Sequence, residues 1–334
     1  KVALDFGLWK DRINGIVEAY WRKSKDCVTS EYVPVTTGFF NQSYNTSVLQ
    51  NNGVEFSLSV AVLKSKDYNL SVSANVAWNQ NKLKKYNSPN TSLALDKYVG
   101  YPMGAVFSGK YEGIDPETGM YKFKLRPDAV TNKDGYLREP NNYYYYLGTS
   151  VAPFTGGFNL NFSYKNIGLS VGGSYSVKAK MVDNIESPAG YELLSGSKLE
   201  SIPTPHNDLY RNHLNVKREV RNRWTPENRT GVKYPRLIDA YGKKLGLDLT
   251  NPTLTTITRG ALLEDISYLR INTIALSYSL PQRVLERINF SSAALNLTLN
   301  NFFTITKYSG IDPEVPGATY PVSRSVTIGL NVGF

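Results

Sequence analysis

The decisive stretch runs Phe154-Thr155-Gly156-Gly157-Phe158-Asn159-Leu160-Asn161-Phe162-Ser163-Tyr164, turns at Lys165-Asn166, and returns as Ile167-Gly168-Leu169-Ser170-Val171-Gly172-Gly173-Ser174-Tyr175-Ser176-Val177. Large apolar residues fall on every second position in both arms except at Gly156 and Gly173, and the positions between them are Gly, Ser, Thr or Asn. Period two is the signature of a strand with unlike faces. Each arm is about twice the length of an ordinary sandwich strand and close to the ~9–11 residues that carry a tilted strand across a bilayer. The polar face is short and uncharged. Solvated faces of soluble strands tend to carry Lys, Glu and Thr, so a wet lumen fits this face better.

The same pattern recurs along the chain, giving nine spanning strands over 2–9, 13–22, 53–63, 69–80, 153–165, 167–178, 266–280, 293–302 and 324–334. Between them, short links alternate with long ones at 24–52, 81–152, 179–263 and 303–323. Segregating loop length by side is a habit of outer-membrane barrels. Within 81–152 the turn-rich run Asp115-Pro116-Glu117-Thr118-Gly119 predicts an external hairpin, with arms Ala105–Gly113 and Met120–Lys124, and no further crossing. Trp21 and Trp78 stand at outer strand ends, Tyr164 and Tyr278 at inner ends, as girdles would.

Composition narrows the function classes. The 334 residues include one cysteine, Cys27, and two histidines, His206 and His213. No disulfide framework or multi-Cys metal site can be built from these. The histidines are spaced seven apart, whereas a helical metal pair wants i, i+4, so no metal, cofactor or catalytic group is expected. The formal charge of +10 and the basic run Lys217, Arg218, Arg221, Arg223 beside Trp224 lack any nucleic-acid-binding motif, so no nucleic-acid partner is expected. A solvated loop, acidic lipid head groups or a protein partner all suit that run. No window holds the ~18 apolar residues of a membrane helix, and a transmembrane barrel would show none.

Several stretches, in order, carry a resemblance. They are Leu4-Asp5-Phe6-Gly7-Leu8 with Arg12-Ile13-Asn14-Gly15, Asn52-Gly53-Val54-Glu55, Gly100-Tyr101-Pro102, and Gly113-Ile114-Asp115-Pro116-Glu117-Thr118-Gly119. Then come Tyr146-Leu147-Gly148, Phe154-Thr155-Gly156-Gly157-Phe158, Arg223-Trp224-Thr225-Pro226-Glu227-Asn228, and Ser267-Tyr268-Leu269-Arg270. The last are Leu276-Ser277-Tyr278-Ser279-Leu280-Pro281, Asn300-Asn301-Phe302-Phe303-Thr304, Tyr308-Ser309-Gly310-Ile311-Asp312-Pro313-Glu314, and Tyr320-Pro321. Over nearly its whole length the chain resembles the C-terminal half of SusC-like TonB-dependent outer-membrane transporters, the RagA/SusC family.

The resemblance implies an all-β fold: the C-terminal portion of a transmembrane antiparallel β-barrel, about nine strands of a plugged barrel of ~22. It implies residence in the outer membrane of a Gram-negative bacterium and energised import of oligosaccharides or peptides, without catalysis. The implied partners are a SusD-like lipoprotein lid, the TonB complex acting through an N-terminal part, the remaining barrel strands and plug, the ligand, and outer-membrane lipid. The plug and first strands have no counterpart in these residues, so the first and last strands, Leu4–Leu8 and Ile328–Val332, are expected not to pair with each other. The alternatives are a soluble glycan-binding β-sandwich and a barrel-embedded hydrolase acting through His206 or His213.

Site candidates follow. Tyr143, Tyr144, Tyr145 and Tyr146 are candidates for stacking on a ligand, with loop packing as the competing role. His206, Arg221, Arg223 and Trp224 are candidates for a partner surface on the proline-stiffened 179–263 loop. Phe334, closing the alternation Val326, Ile328, Leu330, Val332, is the candidate assembly signal of the kind the family carries.

Overall fold

The structure, a computed structural model, describes residues 1–86, 98–117, 119, 121–129, 142–182, 221–234, 259–316 and 320–334. Its frame is a single antiparallel sheet of nine strands. In chain order the strands are β1 (Val2–Leu8), β2 (Ile13–Tyr32), β3 (Asn41–Lys64), β4 (Tyr68–Lys85), β9 (Phe154–Tyr164), β10 (Ile167–Val177), β13 (Tyr268–Ser279), β14 (Ser292–Thr306) and β15 (Ser325–Gly333). They pair in that order, each with its neighbours in sequence along the sheet.

The register shows why the alternation fixes this arrangement. One row of directly opposed residues crosses all nine strands as Leu8, Ile13, Val60, Val72, Leu160, Val171, Ile274, Leu299 and Val326. The neighbouring row, one residue along, reads Gly7, Asn14, Ser59, Ser73, Asn159, Gly172, Thr273, Asn300 and Ser325. Slipping any strand by one residue would place a polar side chain in the apolar row, so each strand's pattern specifies its register against both neighbours.

The apolar face is uncovered. Leu4 is 65% exposed, Ile328 73% and Leu330 67%. Besides the nine-stranded sheet, the described residues form only two-stranded sheets of short strands. No second sheet lies on this face among the described residues, as a sandwich would require. β1 pairs with β2 and β15 with β14, so these two strands are the edges of an open sheet.

Glycines on the sheet accommodate rings from the next strand. In the β9–β10 hairpin, the Phe158 ring lies over Gly173, and the Tyr175 ring over Gly156 while its hydroxyl donates to the Asn75 carbonyl at 2.9 Å. Both are cross-strand pairs, a device that lets a ring cover the backbone a glycine leaves bare. The hairpin turns through Lys165 and Asn166, with Lys165 at φ 50°.

Two expected segments differ. The 24–52 stretch is mostly strand: β2 and β3 stay paired as far as Tyr32 opposite Asn41. A turn with Gly38 at φ 81° joins them. Their 20 and 24 residues well exceed a bilayer crossing. In the 81–152 link, β5 (Ala105–Gly109) pairs with β8 (Tyr144–Thr149) rather than with the 120–124 arm. Only β6 (Tyr111–Ile114) pairs with β7 (Tyr121–Phe123). Among the described residues of this link, no extra strand joins the large sheet.

Most of the buried residues among those described collect at the end carrying the long links, with Leu285 and Ala293 at the other. Ala179, Ile266 and Tyr308 pack with Met181 and Ala152, where β11 (Lys180–Val182) pairs with β12 (Leu263–Asp265). At the other end, the β13–β14 link holds one short helix, α1 (Gln282–Arg287). Among the described residues no helix is long and apolar enough to cross a membrane.

A Cβ at residue 156 would sit 2.1 Å from the Asn75 carbonyl oxygen, whereas one at residue 329 meets nothing closer than 3.9 Å. Gly156→Ala in the intact protein is therefore expected to destabilise it by about 1–3 kcal/mol. Gly329→Ala should stay within about 0.5 kcal/mol of wild type. Urea midpoints in one lipid or detergent system give the comparison.

Candidate functional site

The polar face of the sheet is the candidate working surface. Its side chains hydrogen-bond along the rows: Thr273 Oγ1 donates to Asn300 Oδ1 (3.1 Å), Asn300 Nδ2 to Ser325 Oγ (3.0 Å), and Ser170 Oγ to Asn161 Oδ1 (2.8 Å). Asn75 Oδ1 accepts from the Gly157 N–H at 2.7 Å. Two concavities open on this face. One of about 790 Å³ is lined by Asp5, Asn14, Ser57, Ser73, Asn75 and Asn159. The other, about 430 Å³, lies by Ser71, Asn161, Ser170, Ser277 and Asn296. In both, hydroxyls and amides that donate and accept stand beside apolar lining, Phe6 and Ile16 in the first and Phe162 and Leu276 in the second. Such a wall can exchange hydrogen bonds with a polyol or a peptide group, and it offers little fixed charge away from Asp5 and Asp11. Among the described residues, no three His, Cys, Asp or Glu side chains gather where they could hold a metal.

At the long-link end the wall is crowned by stapled loops. Arg270, near the start of β13, is 3% exposed. Its guanidinium donates Nη2 to Asp312 Oδ1 at 2.5 Å, Nη1 to Glu314 Oε2 at 2.7 Å, and Nε to Thr304 Oγ1 at 3.2 Å. Asp312 also accepts from the Glu314 N–H at 2.9 Å and the Val322 N–H at 3.4 Å. Burial by itself pushes the Asp312 carboxyl up. The Glu314 N–H and the Arg270 guanidinium outweigh it and hold the group below the usual carboxylate value. The 307–324 link is thus clamped onto the sheet by one buried cation.

The sequence Gly-Ile-Asp-Pro-Glu occurs twice, at 113–117 and 310–314. Both copies form the same local turn, in which the Asp carboxylate accepts the N–H of the Glu two residues on: 2.8 Å for Asp115–Glu117, 2.9 Å for Asp312–Glu314. The first copy receives a different clamp. Trp224, 7% exposed, donates its indole N–H to the Pro116 carbonyl at 2.9 Å. This docks residues 221–234 on the β6–β7 hairpin, where burial, with Tyr111 and Tyr234 adding to it, raises the Tyr121 hydroxyl's pKa.

No family model matches the chain. It is 25% identical to the TonB-dependent receptor SusC of Bacteroides thetaiotaomicron over 99% of its own length and 31% of that protein's. It is 24% identical to TonB-dependent receptor P26 of Formosa agariphila over all of its own length and 34% of that protein's. Its fold superposes on the RagAB peptide transporter with a TM-score of 0.74 at 26% identity, covering 99% of this chain and 34% of that one. In sequence the chain is similar to SusC, and in fold to the RagAB transporter. It spans about a third of the length of these relatives, and the sheet is a matching portion of their barrel.

The tyrosine run makes contacts within the loops. Tyr145 donates its hydroxyl to the Leu125 carbonyl at 2.9 Å. Tyr146, 41% exposed, stacks obliquely on Tyr101 with centroids 4.8 Å apart. Tyr143 and Tyr144 are half-buried. Of the basic run, Arg221 is exposed and Arg223 half-buried beside the docked Trp224, while Lys217 and Arg218 lie outside the described residues. His206 and His213 also lie outside them, as does most of 179–263. Phe334 is 92% exposed and meets Phe290 edge-to-face at 5.1 Å, one residue beyond the end of β15.

The Arg270 clamp is not legible in the sequence as a unit. Its two halves, Ser267–Arg270 and Tyr308–Glu314, both stand among the family-like stretches, yet nothing in their spacing tells that they touch.

Removing one partner of a buried pair typically costs about 3–5 kcal/mol, whereas an exposed pair contributes about 0–1 kcal/mol. Asp312 is 5% exposed, and the Glu314 side chain is 47% exposed. Asp312→Ala should therefore speed amide exchange over 307–324 much more than Glu314→Ala. Because the folded Asp312 value lies below the unfolded one, the clamp's contribution is complete above the unfolded value and is lost as pH falls through the folded one. Exchange protection should hold between pH 7 and 5 and fall below about pH 4.

Proposed function

We propose that the chain forms part of the wall of an outer-membrane TonB-dependent importer that takes up oligosaccharides or peptides beneath a SusD-like lipoprotein lid, with no catalysis of its own. The observation that carries this reading is the pair of unbroken rows, one apolar and uncovered, one small and polar, running side by side across nine strands.

An apolar face of this extent is unfavourable in water at about 25 cal/mol per Å². Lipid covers it without a second sheet. Within lipid, each unpaired backbone group costs several kcal/mol. The free edges of β1 and β15 therefore call for further strands on both sides, which fits a barrel larger than this portion. Long links gathered on one side, with their packed core, suit the surface that meets a lid and a ligand. Short links on the other side suit the periplasm.

The polar wall then faces the lumen. Hydroxyls and amides that already bond one another can exchange those bonds for a passing ligand's, so each contact adds little net affinity. Weak, distributed contacts suit passage. Capture would fall to the loops and lid, and release to a plug moved by the TonB complex. The matched structure is a peptide transporter, which supports a peptide as the ligand, and an oligosaccharide is the other ligand class of this reading. The 179–263 segment, part of which docks through Trp224, is the proposed partner surface for the lid.

The test uses vesicles containing the full-length protein with its lid and inner-membrane partners. Oligomer uptake is expected only when the inner membrane is energised, and deleting residues 187–222 should weaken lid association while leaving barrel assembly intact. Uptake indifferent to the energy supply would make the protein a passive pore and overturn the reading.

A further inference from the structure

The paired arms of β2 and β3 that run beyond the expected spanning stretch enclose something the sheet does not need. A cavity of about 490 Å³ lies between these arms, the end of β4 and the segment 98–106. Its walls are mostly apolar, with Leu49, Leu83, Tyr86, Met103, Val106 and Cys27 among them. Facing it is Ser47, which is 2% exposed and whose Oγ has no hydrogen-bond partner. Buried hydroxyls are almost always partnered, and an orphan on an apolar cavity wall is a group waiting for a bond from whatever enters.

The cavity is built, not incidental. β2 and β3 shift register between Ser24 and Cys27, where Asp26 takes φ 54°, and this bulge sets Cys27 opposite Ser47. Bulges re-aim side chains in this way. The covering segment is pinned from several sides: the Gly100 N–H to the Leu83 carbonyl (2.7 Å), the Leu83 N–H to the Tyr101 carbonyl (2.9 Å), the Met103 N–H to Asn81 Oδ1 (2.8 Å), and the Ser150 N–H to the Gly104 carbonyl (2.7 Å). Phe107 packs edge-on against both Tyr98 and Tyr101, at 5.0 and 4.9 Å. The walls are therefore preformed, which lowers the ordering cost of binding. Mostly apolar walls with few polar groups, of which Ser47 lacks a partner while Ser150 bonds the Gly104 carbonyl, are at this volume the make-up of small-ligand pockets.

We propose that this cavity binds an apolar group carrying a single hydrogen-bonding oxygen, with Ser47 supplying the polar contact and the Leu49, Leu83 and Met103 walls the apolar one. The group is either a free aryl or alkyl alcohol, or a hydrophobic side chain presented beside its own peptide carbonyl. The site is separate from the polar wall and does not depend on the import reading, because binding needs no energised partner.

The test follows alkylation of Cys27 by N-ethylmaleimide in the full-length protein in nanodiscs, read by mass spectrometry of the peptide that contains it. Benzyl alcohol and N-acetylphenylalaninamide are the probes, and N-acetylglycinamide is the polar control. At least one probe is expected to slow alkylation saturably, with the control inert. Ser47→Ala should raise the concentration needed by about three- to tenfold, the span of one hydrogen bond. Protection by benzyl alcohol alone assigns the free alcohol class, and protection by the amide, with or without the alcohol, assigns a peptide-borne side chain. No protection by either probe, or protection unchanged by Ser47→Ala, overturns the proposal. If the thiol resists alkylation without probe, saturation transfer from protein to probe reads the same binding, and transfer insensitive to Ser47→Ala overturns it equally.

Discussion

Everything in this chain depends on the backbone ladder. A strand offers an N–H and a C=O at almost every residue, and where no water can reach them they must bond to a neighbouring strand. Nine strands meet that demand by pairing in sequence order along one sheet, and the side chains must then fall in line. The row from Leu8 to Val326 and its neighbour from Gly7 to Ser325 are two consequences of one register. Neither face could change its chemistry without moving the other, because the pleat ties them together two residues at a time.

The long links raise a different problem. A flexible loop loses entropy when its ends are fixed, and more when its interior is ordered as well. Two copies of one turn sequence offset this with unlike partners. At 310–314 the partner is a buried guanidinium from the sheet itself, and at 113–117 it is an indole from a distant link. The first staple joins a loop to the wall, and the second joins loop to loop. The long-link end thus has its own small core around Ala179, Ile266 and Tyr308, while the sheet keeps its apolar residues outside. A molecule with its core at one rim and its largest apolar face uncovered has the inverse of a soluble domain's layout.

Legibility in the sequence followed the environment of each element. The β9–β10 hairpin could be read to within a residue because its faces meet unlike surroundings and the alternation is stark. The arms of β2 and β3 between residues 24 and 52 could not. Ser24, Lys25 and Asp26, and Asn41, Gln42 and Ser43, show no period, since strands polar on both faces carry no alternation to read. The hairpin around Asp115–Gly119 was half legible: its turn residues announce a reversal, but the pairing of Ala105–Gly109 with Tyr144–Thr149 is long-range and leaves no local trace. In the candidate site, the Ser/Asn wall was visible as the polar half of the alternation. The Arg270 clamp was visible only as two unconnected stretches, and the orphan Ser47 not at all, because burial is a property of the assembled arms and not of a serine's neighbours in sequence.

The central claim is that one face of this sheet meets lipid and the other water. Spin labels placed singly along β9, from residue 157 to 162 in the full-length protein in lipid, test it directly through collision with oxygen and with a water-soluble nickel chelate. The account predicts strict alternation: oxygen dominates at residues 158, 160 and 162, and the chelate at 157, 159 and 161. Residues 158, 160 and 162 shielded from both reagents would mean a covered core instead, and would contradict the account.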